Sequence, residues 1–325
     1  MLLCAFFFEN SAQSYTTFQK IHYISQRNDI TMELELFAEY LKLERNYSSL
    51  TVGSYMQDIE LFQSFCRELC GDCEWKHIDS DIIRAWVVDM MNRGAATTTV
   101  NRRLSTMRSF YKFLMMKGLA DHSPLTGVKG PKNKKPLPVF VRESEMDSLL
   151  DNDSLFGEGY NAILGKTIID TFYQTGIRLA ELLDLTLSSV DFSAMTIKVH
   201  GKRNKERYIP FGNELKNQFE KYLEQRNAIK DISVETFFVT DKGVPMPRHR
   251  VYALVRNLLL QVSTVTKKSP HVLRHTFATA MLNHNADLSS VKELLGHASL
   301  AATQVYTHTT LQELKDIYNQ AHPRA

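Results

Sequence analysis

Apolar positions recur at three- and four-residue steps through residues 32–120. Tyr55, Ile59, Phe62, Phe65 and Cys66 form one such row, the spacing of a single helix face. The pattern predicts four helices: Met32–Arg45, Ser48–Leu69, Asp79–Met91 and Thr97–Lys117. Ser48 or Ser49 is placed to cap the second and Asp79 or Ser80 the third, since a short side-chain oxygen satisfies the first unpaired N–H groups. Periodicity stops at residues 121–138, where Lys129-Gly130-Pro131-Lys132-Asn133-Lys134-Lys135-Pro136 follows Ser-Pro and Thr-Gly. Pro and Gly break helices and the lysines repel one another, so this stretch reads as a basic linker. The pattern resumes over 139–325. A helix opens at Val141–Glu145, Tyr160–Tyr173 is apolar enough to be buried, and Asn213–Arg226 and Val251–Val262 are amphipathic. Met195–Val199 and Tyr208–Phe211 alternate with period two, a β-hairpin, and Thr236–Thr240 reads as a third strand. The expected fold is mainly α with a small antiparallel β-sheet, in two domains. Leu311, Leu314, Ile317 and Tyr318 put a last helix over 310–320.

Residues 1–31 do not fit this frame. Met1–Phe8 is a short apolar run without a basic flank, which argues against a signal peptide, and 9–31 is polar and aperiodic. The segment is expected to be a disordered extension, from a start codon upstream of the one in use. No run approaches the roughly 20 apolar residues of a membrane span. The apolar fraction of 43% supports a packed core in each domain, and the net charge of +3 does not by itself mark a nucleic-acid-binding protein. Four cysteines without an even pattern point to a reducing, cytoplasmic compartment rather than a disulfide framework. Cys66, Cys70, Cys73 and His77 are close enough in sequence for a small zinc site, but they match no common zinc signature. Buried thiols and no metal are expected.

The candidate chemistry gathers between Pro270 and His308, which contain Pro270-His-Val-Leu-Arg-His-Thr-Phe277, Leu295-Gly-His-Ala-Ser299 and Val305-Tyr-Thr-His308. A tyrosine at neutral pH is only about 0.1% phenolate, so a Tyr306 nucleophile needs a base, and cations for its target. Arginine forks match the two non-bridging oxygens of a phosphodiester. Arg274 is one such fork. Arg178, after the Thr175-Gly176 turn at the start of a helix, is another, with Glu181 one turn on to steady it. Lys202, in the basic hairpin turn His200–Arg207, suits a proton donor to a leaving alkoxide. His271 and His275 stand four apart on one helix, but Val272 occupies the place where a metalloprotease pair needs glutamate. His275 is expected to be a packed structural residue.

In order and spacing, Arg178, Lys202, His271-x-x-Arg274, Leu295-Gly296-His297 and Tyr306 resemble the catalytic set of the tyrosine recombinases, the phage-integrase-like strand-exchange enzymes. The hairpin turn, the Leu-Gly-His-Ala-Ser word and the ending Ala-His-Pro-Arg-Ala are most similar to the Xer branch. The likeness runs from about residue 32 to the end, with Arg203 standing where that branch usually has Gly. It implies an N-terminal SAM-like core-binding domain (32–120) and a C-terminal catalytic domain (139–325). Arg178 and Arg274 would clamp the scissile phosphate of a double-stranded DNA recombination site. His271 and His297 would serve as base and donor, Lys202 as acid, and Tyr306 would become joined to the 3′ phosphate. No cofactor is implied. It also implies a homo- or hetero-tetramer linked through the C-terminal helix. Folding of that helix back onto its own domain is the plainer alternative.

The helix Thr97–Lys117 carries Arg102, Arg103, Arg108 and Lys112 opposite Leu104, Phe110 and Phe113. Such a face suits a phosphate backbone; a merely solvated basic face is the plainer reading. Two other functions share parts of this set. A type IB topoisomerase reseals the same strand, and a catalytically silent DNA-binding regulator would keep the fold alone.

Overall fold

The computed structural model describes residues 32–71, 74–133, 139–201, 206–230, 232, 234–296 and 308–325, excluding the side chains of 308–310. The chain divides into two compact units, Met1–Lys135 and Pro136–Ala325.

In the first unit, α1 (32–39) runs into a widened π turn at Tyr40–Glu44 instead of continuing to Arg45 as an α-helix. The wider turn closes with Arg45 N donating to Tyr40 O at 3.1 Å and leaves Phe37 and Leu41 both in the core. Helix α2 (Ser49–Cys70) begins after Ser48, whose Oγ accepts from Thr51 N, and ends at Gly71 with φ +79°. Helix α3 (Ser80–Asn92) is capped by Asp79, which accepts from the N–H groups of Asp81 and Ile82. Helix α4 (Thr97–Met116) buries Val100, Leu104, Met107, Phe110, Tyr111 and Leu114, one stripe at helical spacing. An aromatic cluster joins these helices. Phe110 packs edge-on against Trp75 (4.9 Å) and Phe37 (5.1 Å), and Phe62 lies 4.8 Å from Trp86. Each such ring contributes about 1.5–3 kcal/mol on burial. Cys66 is buried but Cys70 is exposed, so the second thiol departs from the expected core position; it lies in the last turn of α2, where the helix leaves the core. Cys73 lies outside the described residues.

The second unit is built around α6 (Tyr160–Thr175), buried almost continuously from Leu164 to Thr175. Around it lie α5 (Glu143–Leu150), α7 (Leu179–Leu183), α8 (Asn213–Asn227), α9 (Arg248–Val262), α10 (Pro270–Asn283), α11 (Leu288–Leu295) and α12 (His308–Ala321). The sheet is antiparallel in the order β1 (Val190–Asp191), β2 (Thr196–His200), β3 (Glu206–Pro210). Its third strand is therefore β1, not the expected Thr236–Thr240. The latter forms only isolated bridges, Thr186↔Thr236 and Val239↔Pro245. Phe237, Phe238 and Val239 are all buried, without the alternation of a one-sided strand. Their polar backbone is satisfied instead by Leu185 O (2.7 Å, from Phe237 N) and by the Tyr222 hydroxyl, which accepts from Val239 N and donates to Phe237 O.

Helix α12 lies on its own domain. Leu314, Tyr318 and Ala321 share a cluster with Phe277, Met281, Val291, Leu294 and Leu295. His322 is buried beside Tyr173, Phe277 and Tyr318. Arg324 reaches Asp147 (3.3 Å), Glu214 (3.2 Å) and Asp151. The resemblance leads to an expectation of docking into a neighbour; in the single chain the apolar face of the helix finds the groove of its own unit.

Candidate active site

Three turns bring the polar residues together. Helix α6 stops at Gly176, left-handed at φ +56°, where a Cβ would come within 2.5 Å of the Phe277 ring and 2.9 Å of Leu295. Only glycine fits, and the turn delivers Arg178 to the N-cap position of α7. Helix α10 starts with Pro270 in its first turn, where a backbone N–H would have no intrahelical partner and its absence costs nothing. It carries His271 exposed and Arg274 buried, 7% exposed. Helix α11 ends at Gly296, left-handed at φ +63°, and so turns its last carbonyls into the site.

Those carbonyls meet three arginines. Arg207 Nε donates to Leu294 O at 3.0 Å, Arg274 Nη2 to Leu295 O, and Arg178 Nη2 to Gly296 O at 2.9 Å. A helix C-terminus presents unpaired carbonyls and a partial negative charge, so the seat suits cations. Arg274 Nη1 also donates to Gly176 O at 2.6 Å. Glu181 lies beneath. Its Oε1 accepts from Arg178 Nη1 and Arg207 Nη1, both at 2.7 Å, and its Oε2 from Arg207 Nη2 and Arg178 N, both at 2.8 Å. Four donors fill the lone-pair positions of one carboxylate.

Electrostatics follow from this geometry. Burial alone would raise the Glu181 pKa, but the bonds and charge of Arg207, then those of Arg178, hold it down at about 2. Arg274 is lowered as well, to about 9, by burial and then by the positive charges of Arg178 and Arg207. Burial, then His275, Arg274, Arg248 and Arg178, also lower His271. Its imidazole is therefore neutral at pH 7 and able to take a proton. Three guanidinium groups face one carboxylate, so the cluster carries two unbalanced positive charges that an anion would offset.

The sequence-predicted residues divide accordingly. Arg178 and Arg274 converge on the Leu294–Gly296 turn, beside His271. Lys202, His297 and Tyr306 lie outside the described residues. His275 is exposed, a correction to its expected packed role: four residues from His271, it shares that residue's open face, while Arg274 and Thr276 turn inward. Arg207 is the member that sequence reading missed. Its signal is register: in β3 positions 207 and 209 are both buried, so an arginine stands where period two calls for an apolar side chain.

In the first unit, Arg102, Arg108 and Lys112 are exposed along α4. Arg102 is held by Asp58, Nη1 to Oδ2 at 2.5 Å and Nη2 to Oδ1 at 2.8 Å, and Arg108 Nη2 donates to Val128 O at 2.9 Å. Arg103 turns inward, its side chain 23% exposed and its Nε 3.5 Å from Asp58. Among the described residues no cluster of His, Cys, Asp or Glu is arranged to hold a metal ion, and no helix is long and apolar enough to cross a membrane.

Comparison with known proteins covers both units. The phage integrase family model matches residues 139–313, and that of the phage integrase N-terminal SAM-like domain matches residues 34–118. Tyrosine recombinase XerC of Oceanobacillus iheyensis is 36% identical over 303 residues, spanning 92% of this chain and 98% of that protein. Tyrosine recombinase XerC of Bacillus subtilis is 33% identical over 296 residues, spanning 90% and 96%. The solved structure of XerH site-specific recombinase bound to a palindromic difH substrate shares the fold, with a TM-score of 0.66 at 20% identity over 87% of this chain and 82% of that one. With both of its units matched in order and relatives of this identity along almost its whole length, the chain belongs to the phage integrase family of tyrosine recombinases.

Proposed function

We propose that this protein is a site-specific DNA recombinase that cuts and rejoins strands by transesterification, with Tyr306 as the nucleophile. The convergence of Arg178 and Arg274 on one turn, with two positive charges left unbalanced, carries the reading. A phosphodiester supplies the missing anion. Its non-bridging oxygens take the two forks, which offset charge as it grows in the transition state. Neutral His271 accepts the Tyr306 proton or donates to the phosphate, and His297 adds a further donor. Lys202 protonates the departing 5′ oxygen. The 3′ phosphate is then held on Tyr306 until a 5′ hydroxyl of the partner strand attacks it and restores the diester. Bond energy is conserved in the phosphotyrosine link, so the cycle needs neither ATP nor a cofactor. The test is a nicked suicide substrate. Tyr306→Phe should bind it and leave no covalent adduct; an adduct that persists would sink the nucleophile assignment.

The exposed row Arg102, Arg108 and Lys112 is the proposed DNA-facing surface of α4, with Arg103 behind it and the basic linker 121–138 as a strap. Recombination joins two duplexes, and we place the working form as a tetramer in which α12 leaves its own groove for that of a neighbour. Removal of residues 310–325 should then lower cleavage more than DNA binding; equal losses would count against the exchange. Resealing of exchanged rather than original strands separates this activity from strand relaxation. The compartment that fits is the cytoplasm, where the DNA is.

A further inference from the structure

We infer that Arg207 is a positioning residue for strand cleavage, which aims Arg178 through Glu181 and fixes the end of α11 over the site. The inference rests on the reading of Arg178 and Arg274 as the phosphate clamp.

The geometry leaves Arg207 little other use. Its side chain is 5% exposed, and each of its three nitrogens is engaged by the protein. The two Nη atoms fork onto Glu181, and Nε donates to Leu294 O. It is thus a poor phosphate ligand, unlike Arg178, whose side chain is 34% exposed. Without Arg207, Glu181 would keep Arg178 as its only arginine partner and would be free to shift. Arg178 is tied to the same Oε1 by Nη1 and to Oε2 by its backbone N–H, so a shift of the carboxylate carries Arg178 with it. The second effect is steric. A Cβ at Gly296 would lie within 3.1 Å of Cδ, Nε and Nη1 of Arg207, so the turn is seated directly on this side chain. That turn supplies the acceptors for Arg178 and Arg274, and the chain runs on from it to His297. Arg207 also sits on β3, the strand that follows the hairpin turn bearing Lys202. One guanidinium therefore links the hairpin, the carboxylate under the clamp and the end of α11. Buried arginine–carboxylate pairs add little net stability but fix orientation when the geometry is bidentate.

The test compares two suicide substrates, one with an ordinary scissile phosphodiester and one with a methylphosphonate there. The methyl group replaces a charged oxygen, so the neutral centre depends less on a cationic clamp. Single-turnover cleavage and DNA affinity are measured for the wild type, Arg178→Ala, Arg207→Gln and Arg207→Lys. Arg207→Gln should cleave the phosphodiester about 100-fold more slowly, the loss usual for a misplaced electrostatic donor. Its affinity for DNA should stay within about threefold, and its deficit on the methylphosphonate should shrink to about tenfold or less, as for Arg178→Ala. Arg207→Lys, which keeps the charge but not the fork, should fall between wild type and Gln, and serves alone if Gln does not fold. Equal losses on both substrates by the Arg207 variants, or wild-type cleavage of both, would overturn the inference. If Arg178→Ala itself shows no relief on the neutral substrate, the clamp reading has failed instead.

Discussion

Asp58 in the N-terminal unit and Glu181 in the catalytic unit are both buried, and each grips an arginine with both carboxylate oxygens. The surroundings differ. Asp58 holds Arg102, whose side chain remains 49% exposed, and accepts from Thr106 at 3.0 Å; its partners come from α4 alone. Glu181 holds arginines from two elements, the N-cap of α7 and β3, with Arg274 of α10 close enough for its charge to be felt. Solvent screens the charge at Arg102. In the second cluster it is not screened, and Arg274 falls to about 9. A buried acid under an exposed arginine makes a pinned surface cation. The same acid under converging arginines makes a pocket with an excess of positive charge. The first suits any phosphate along a backbone; the second suits one phosphate held for chemistry.

The sharpest way to break this contrast is to remove an arginine of the proposed clamp. Arg274→Ala should lower single-turnover cleavage by about 10²–10³-fold, the cost of one preorganised donor to a developing oxyanion. DNA affinity should change far less, since most binding energy comes from many backbone phosphates. A fall in affinity as large as the fall in cleavage would make Arg274 an ordinary backbone contact and erase the distinction from Arg102.

Acid should separate the two units next. The Glu181 pKa is depressed, from an ordinary 4.5 to about 2. Its stabilisation is therefore fully present above pH 4.5 and is lost as pH falls through 2. The loss amounts to about 3 kcal/mol at 1.36 kcal/mol per pH unit. Both tryptophans of the chain, Trp75 and Trp86, lie in the N-terminal unit, so their fluorescence follows that unit. Hydrogen exchange in α6 and α10 follows the other. Exchange in these helices should quicken across that window in the wild type and become less pH-dependent in Glu181→Gln. An unchanged profile in the variant would show that Glu181 does not set the acid limit.

The convergence of Arg178 and Arg274 beside His271 was legible in the sequence because these residues sit in rare local words; Lys202, His297 and Tyr306 lie outside the described residues. Gly176-Ile-Arg178 and Leu295-Gly296 each mark an unusual backbone need, and the structure supplies the reason at Gly176 and Gly296. Helix caps were legible for the same reason, as at Ser48 and Asp79. Arg207 was not, because the hairpin turn looked uniformly basic and only strand register reveals which cation faces inward. The strand expected at 236–240 failed because a segment buried on all sides has no alternation to read, and a tyrosine hydroxyl in place of a neighbouring strand leaves no local trace. The widened turn at Tyr40–Glu44 likewise left no local sign in the sequence; it lies where Phe37 and Leu41 are buried and Phe37 meets the ring of Phe110, far along the chain.

The smallest effect belongs to the exposed member of the pair. Arg102→Ala should weaken DNA binding about tenfold or less, evenly across sequences, and should reduce the slope of log affinity against log salt by about one. A phosphate contact releases its counterion wherever the protein sits, so the loss carries no sequence preference. Asp58→Ala offers the complementary reading. It keeps the charge of Arg102 but removes the carboxylate that fixes it, and leaves Thr106 without its acceptor and the half-buried Arg103 without its ion-pair partner. If Arg102 works as a charge, Asp58→Ala should destabilise the tryptophan-bearing unit in urea while the salt slope of DNA binding remains that of the wild type. If Arg102 works as a fixed fork aimed by Asp58, the slope should fall in both variants, and the first unit would then resemble the second more closely than its exposure suggests. Binding isotherms at several salt concentrations on specific and random duplexes distinguish the two.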